Sequence, residues 1–180
     1  MKIITFGEYI DDKSYKVLNE RIVRGSGALM FLIGIIAFIN GFIIKNYIVL
    51  PYLSGFMVLN FAIGIFINPK FSPTIILARF LTRKQSPIWV GAIQKKFAWS
   101  LGFLLSGSIF VLSLLLLQDE SYFELICKLC LLCLTLIFLE MGFGICIGCK
   151  LYFAALRLKL LPKPKDNPNC TGDACEFRTK

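Results

Sequence analysis

The stretch Gly25–Ile44, GSGALMFLIGIIAFINGFII, runs for twenty residues without a charge. At ~1.5 Å per residue, such a run as a helix covers the ~30 Å hydrocarbon core of a bilayer. Three further apolar blocks follow, between Lys45 and Lys70, between Lys96 and Asp119, and between Lys128 and Lys150. The charges that bound them predict spans at about 25–44, 48–67, 97–117 and 129–149. The first two are joined by Lys45-Asn46-Tyr47 and the last two by Gln118-Asp119-Glu120-Ser121, each short enough only for a tight helical hairpin. The expected fold is therefore all-α, an integral membrane four-helix bundle of two hairpins. Residues 1–24 form an N-terminal arm, 25–158 the membrane domain and 159–180 a flexible tail with cysteines.

Composition agrees. Hydrophobic residues make up 57% of the 180, charged residues 17%, and the mean hydropathy is +0.72. A soluble domain carries about 25% charged residues, so neither a soluble globule nor a disordered chain fits. The chain has no histidine, which removes His acid–base chemistry, His metal ligands and any Ser-His-Asp or Cys-His pair. Met1–Arg24 is mixed and charged, and no small-residue cleavage pattern follows the first apolar run. The first helix is thus expected to stay as an anchor.

The basic residues set the expected orientation. Lys2, Lys13, Lys16, Arg21 and Arg24 precede the first span. Lys70, Arg79, Arg83, Lys84, Lys95 and Lys96 lie between the second and third, and seven more from Lys150 to Lys180 follow the fourth. The short turns have little beyond Lys45 and Lys128. The positive-inside rule then puts both termini and the middle loop in the cytoplasm of a multi-pass bacterial inner-membrane protein. The net charge of +9 reads as topology and contact with anionic headgroups. Nucleic-acid binding is set aside for want of a basic-aromatic module.

Small residues suggest packing faces. Gly27, Gly34 and Gly41 share a stripe, and Gly102/Ser106 and Gly144/Gly148 are spaced for close helix contact. In the middle loop Ser72-Pro73 starts a short amphipathic helix over Thr74–Arg83, expected to lie at the interface.

The fourth block carries the candidate chemistry. If Lys128 and Lys150 snorkel to opposite interfaces, a helix of ~33 Å between them puts Glu140 near the bilayer midplane. No basic residue of another span matches that depth, so the expectation is a mostly protonated carboxyl facing the bundle interior. Asn60 is the leading polar partner, followed by Asn40 and Ser106, Ser108 or Ser113. Glu140 and Asn60 then form a proton or substrate site, or a neutral group that ties helices together. All seven cysteines fall in the last third. Cys127, Cys130 and Cys133 follow one helix side and read first as packing. Cys146-Ile147-Gly148-Cys149-Lys150 suits redox exchange or metal binding. In this reading Lys150 favours a Cys149 thiolate while the C-terminal end of a helix opposes it, and Cys149 is the more reactive of the pair. Cys170 and Cys175 add a second pair on the tail. Both pairs face a reducing compartment, which disfavours permanent disulfides.

Several segments carry a resemblance: Asn19-Glu20-Arg21, Phe71-Ser72-Pro73 with Ala78-Arg79, Lys95-Lys96-Phe97-Ala98-Trp99, and Leu139-Glu140 leading into Gly142-Phe143-Gly144-Ile145-Cys146-Ile147-Gly148-Cys149-Lys150-Leu151-Tyr152. Over about Asn19 to Leu158 the chain resembles a bacterial family of integral membrane proteins, domain of unknown function 4395. The family has no established activity. Its members are often found beside thioredoxin-like or sulfurtransferase-type proteins, so the resemblance implicates Cys146, Cys149 and Glu140 in sulfur chemistry. Three functions follow. The first is thiol redox or sulfur transfer through Cys146 and Cys149, with Cys170/Cys175 as a tethered shuttle and no cofactor. The second is a transporter or channel for a sulfur compound, with Glu140 as the coupling acid. The third is a structural subunit with zinc on Cys146, Cys149, Cys170 and Cys175. The expected partners are the lipid bilayer, a thioredoxin-like or sulfurtransferase protein, and further copies of the chain.

Overall fold

A computed structural model describes residues 5–10 and 14–161, so the tail pair Cys170/Cys175 lies outside the described residues. In chain order the elements are strand β1 (Val17–Asn19), helix α1 (Glu20–Phe38, extended by a π-turn over Ile39–Ile43) and helix α2 (Val49–Ala62, extended likewise over Ile63–Ile67). Then come helix α3 (Pro73–Leu81), strand β2 (Trp89–Gly91), helix α4 (Ala92–Leu116), helix α5 (Phe123–Phe143) and helix α6 (Ile147–Arg157). Four stretches, Glu20–Ile43, Val49–Ile67, Ala92–Leu116 and Glu120–Phe143, are long and apolar enough to cross a membrane. The all-α bundle of two hairpins is as expected. Leu32, Tyr52, Leu104 and Leu131 point outward, as side chains in contact with lipid do.

The helices meet through knobs and glycines. α2 packs chiefly on α4, and α1 on α5. Met30, Met57, Phe61 and Trp99 build one core cluster, and Leu50, Ile109, Leu116 and Ile126 a second. A Cβ at Gly102 would stand 2.8 Å from the Phe61 ring, and one at Gly34 would stand 2.9 Å from Leu134. The expected glycine stripe of α1 is divided between neighbours: Gly27 and Gly34 meet α5, whereas Gly41 meets Leu50 at the start of α2.

A two-stranded ribbon ties the first and third membrane-length helices together. β1 pairs antiparallel with β2, Val17 opposite Gly91 and Asn19 opposite Trp89. Asn19 caps α1, its Oδ1 accepting from the Arg21 amide at 3.1 Å and from the Ile88 amide at 3.3 Å. The Glu20 amide donates to the Ile88 carbonyl at 2.7 Å. The first turns of α1 and α4 are thereby held at one level.

Asn60 does other work than expected. It is fully buried, and its Oδ1 accepts from Ser72 Oγ at 2.6 Å, Thr74 Oγ1 at 2.9 Å and the Thr74 amide at 3.1 Å. Ser26 and Thr74 share a further hydrogen bond of 2.6 Å. Asn60 thus satisfies the orphan donors at the start of α3, where Ser72 is the cap and Pro73 the first residue. It makes no bond to Glu140. The hub presses Thr74, Ile75 and Ala78 inward and leaves Ile76, Leu77, Phe80 and Leu81 exposed, the amphipathic surface helix foreseen in the middle loop. Replacing Asn60 by Leu strands the Thr74 amide, at about 1–3 kcal/mol for a buried donor left unpaired, and leaves the Ser72 and Thr74 hydroxyls only the Asn60 carbonyl and Ser26 Oγ. Thermal unfolding in detergent should show a clearly lowered Tm for Asn60→Leu, with Asn60→Asp much closer to the parent.

Candidate thiol site beyond the fourth membrane-length helix

The fourth helix stops earlier than its apolar composition suggests. Against the expected 129–149, the fourth helix of membrane length runs Glu120–Phe143, and Lys128 and Lys150 do not lie on one helix. Gly144 adopts φ +70°, a left-handed stop that glycine accepts without steric cost. Its amide donates to the Glu140 carbonyl at 3.1 Å, and the Ile145 amide to the Leu139 carbonyl at 3.0 Å. Two more terminal carbonyls are taken by Arg24 of α1, whose Nε and Nη2 donate to Met141 O at 3.2 and 3.0 Å and whose Nη2 reaches Gly142 O at 3.0 Å. A cation at a helix C-terminus also complements its dipole.

After this break the chain starts again as α6, and Cys146 is its N-cap. The Cys149 amide donates to Cys146 Sγ at 3.3 Å. The cysteine pair therefore sits at a helix N-terminus, the positive end of the helix dipole, and not at the C-terminal end of a helix. Because Cys146 precedes the helix, the two sulfurs are not separated by regular helical rotation. Gly148 lets α6 lie against α4, since a Cβ there would meet Ala98 Cβ at 2.6 Å and Ala98 Cα at 2.7 Å.

Beneath the cysteines lies a buried cation. Lys95 Nζ is 2.8 Å from Glu140 Oε1 and 3.1 Å from Glu20 Oε2. The Lys95 side chain is 4% exposed, Glu20 6% and Glu140 21%. Glu140 is thus in the last turn of α5 and ion-paired with Lys95. The sequence offers Glu140 no cation at its depth, and Lys95 supplies one from the first turn of α4. The Lys95 ammonium also interacts electrostatically with Cys146 and Cys149.

Lys150, expected to activate Cys149, is exposed, whereas Cys149 is 1% exposed. A hydrogen bond shared with the Cys146 sulfur, followed by burial, holds the Cys149 thiol well above its ordinary range. Cys146, at 7% exposure and on the helix N-terminus, is the better placed of the two to react. That reverses the order expected from sequence. Cys130 and Cys133 line a small apolar cavity between α1, α2, α4 and α5 with Ile33, Leu50 and Met57, as packing residues do. Among the described residues no three Cys, Asp or Glu side chains converge as a metal-ligand set.

Sequence reading missed Lys95, Glu20 and Arg24 as site residues. Lys95 and Glu20 stand within Lys95-Lys96-Phe97-Ala98-Trp99 and Asn19-Glu20-Arg21, where Lys95 reads as topology-setting charge and Glu20 as part of a family segment.

The fold and this site define a helical membrane protein with four membrane-length helices and a cysteine-capped helix after the last. The chain belongs to the family described as Domain of unknown function (DUF4395), which it matches over residues 18–157. No curated protein and no solved structure matches it.

Two outcomes are expected. Lys95→Met leaves two carboxylates without their ammonium, and breaking a buried pair costs about 3–5 kcal/mol. The variant should lose more thermal stability than Glu140→Gln, whose pair is partly open to solvent. In timed alkylation of folded protein read by mass spectrometry, Cys146 should be modified before Cys149, and the difference should vanish in denaturant.

Proposed function

We propose that this is a membrane-embedded thiol–disulfide exchange protein, with Cys146 as the attacking thiol and Cys149 as the resolving one. The observation that carries this reading is the N-cap placement of Cys146, its sulfur accepting from the Cys149 amide. Basic residues cluster at the same end of the bundle, so by the positive-inside rule the pair faces the cytoplasm of a bacterial inner membrane. The partner is a cytoplasmic dithiol/disulfide protein of the thioredoxin-like class.

The chemistry balances without a further reagent. The Cys146 thiolate attacks one sulfur of the partner disulfide, a mixed disulfide forms, and the partner's other sulfur leaves as a thiolate that takes a proton from water. The Lys95 ammonium favours a thiolate at Cys149. Cys149 gives its proton to the Glu140 carboxylate and attacks Cys146 Sγ. The mixed bond breaks, the partner's second sulfur leaves as a thiolate that takes a proton from water, and the partner departs as a dithiol with two electrons from this chain. The reverse sequence oxidises the partner.

Transport coupled to a midplane acid loses its footing, because Glu140 is at a helix end and paired. Sulfur transfer would use the same attacking thiol with a persulfide in place of the disulfide.

Purified full-length protein, equilibrated in glutathione or dithiothreitol buffers and then alkylated, should show a Cys146–Cys149 disulfide that forms and breaks over one two-electron transition. Cys149→Ser should accumulate a mixed disulfide with a thioredoxin-class protein, and Cys146→Ser should not. Absence of the Cys146–Cys149 bond at every potential would refute the reading.

A further inference from the structure

A second site opens on the other side of Glu20. A cleft of about 550 Å³ lies between the start of α1, the loop after α3 and the end of α5, its polar wall formed by Glu20, Arg21, Arg24, Thr82 and Gln85. Pockets that hold small ligands commonly have about 300–1,000 Å³. Arg21 Nε is buried and has no hydrogen-bond partner among the described residues. Its Nη1 reaches Gln85 Oε1 at a long 3.3 Å. A buried guanidinium nitrogen without an acceptor costs about as much as any unpaired buried donor, more because it is charged. The one carboxylate in the wall, Glu20, is bound on its far side by Lys95. Arg21 and Arg24 therefore give the cleft an excess of positive charge, and the N-terminus of α1 adds to it.

We propose that this cleft binds a phosphate-class oxyanion that carries an organic substituent. The guanidinium of Arg21, part of the cleft wall, presents the planar donor fork that matches a tetrahedral oxyanion. Arg24 contributes charge from the wall while its Nε and Nη2 hold the end of α5. Cleft volume exceeds that of a bare phosphate, and Ile88 and Phe143 give the substituent an apolar wall. At the level where α1 begins and α5 ends, the same chemistry is available from two sources, an anionic lipid headgroup and a soluble phosphate ester. The site is independent of the thiol reaction.

Native mass spectrometry of the full chain released from detergent micelles tests it, with phosphatidylglycerol and phosphatidylcholine as lipid probes and glycerol 3-phosphate as the soluble one. Selective retention of phosphatidylglycerol identifies the lipid source, and binding of glycerol 3-phosphate the soluble one. In either case Arg21→Gln should weaken binding at least ~10-fold, the scale of one charge-assisted hydrogen bond. Gln85→Glu, which puts a carboxylate against Arg21 without emptying the site, should do the same with Tm unchanged, so that a folding defect in Arg21→Gln cannot mask the result. Binding of neither anion, equal retention of both lipids, or equal binding by the parent and Gln85→Glu would overturn the proposal.

Discussion

A lysine ammonium held between two carboxylates inside an apolar bundle sets the terms for the polar end of this molecule. An unpaired charge in that setting is strongly unfavourable, so Lys95 is tolerated where Glu20 and Glu140 can both reach it. The three residues come from α1, α4 and α5. Three helices must therefore meet at one height and with one rotation. The β1–β2 ribbon fixes two of them by pairing Asn19 with Trp89, and the Arg24 clamp on Met141 and Gly142 fixes the third. The same ammonium then lies under the cysteines of α6. Structural and chemical demands converge on one side chain.

The bundle is divided in character along its length. At the end with the ribbon, polar groups organise the backbone: Asn60 with Ser72 and Thr74, Arg24 with the terminal carbonyls, Lys95 with its carboxylates. At the other end Leu50, Ile109, Leu116 and Ile126 pack without comparable polar order, and Cys130 and Cys133 join them as small apolar side chains. Candidate chemistry is therefore concentrated at one face. Among the described residues the cysteines separate accordingly, Cys130 and Cys133 of α5 within the packing and Cys146 and Cys149 at the start of α6.

Much of the site lay in view in the sequence without being legible as a site. Cys146 and Cys149 stood out by spacing, and Glu140 by its position in an apolar run. Their partners did not. Lys95 looked like one more cytoplasmic-side cation, because nothing local shows that it is buried. Asn60 looked like a partner for Glu140, since both are polar residues in apolar helices, yet its acceptor is engaged by the start of α3. Reading Lys128 to Lys150 as one span reversed the polarity assigned to the cysteine pair, since the pair starts a helix instead of ending one.

The sequence alone determined the four membrane-length helices, the two tight turns, the amphipathic surface helix at Ser72-Pro73 and the family. Each is written in continuous runs or short-range patterns of hydrophobicity, charge and capping, which act on the chain locally. Tertiary structure decided where the fourth helix ends, which cation meets Glu140 and which end of a helix carries the cysteines. Those outcomes depend on residues far apart in sequence: Arg24 and Met141 are 117 positions apart, and Lys95 and Glu140 are 45. Such contacts leave no periodicity to read, because they arise only when packing desolvates the charges and forces each to find its partner.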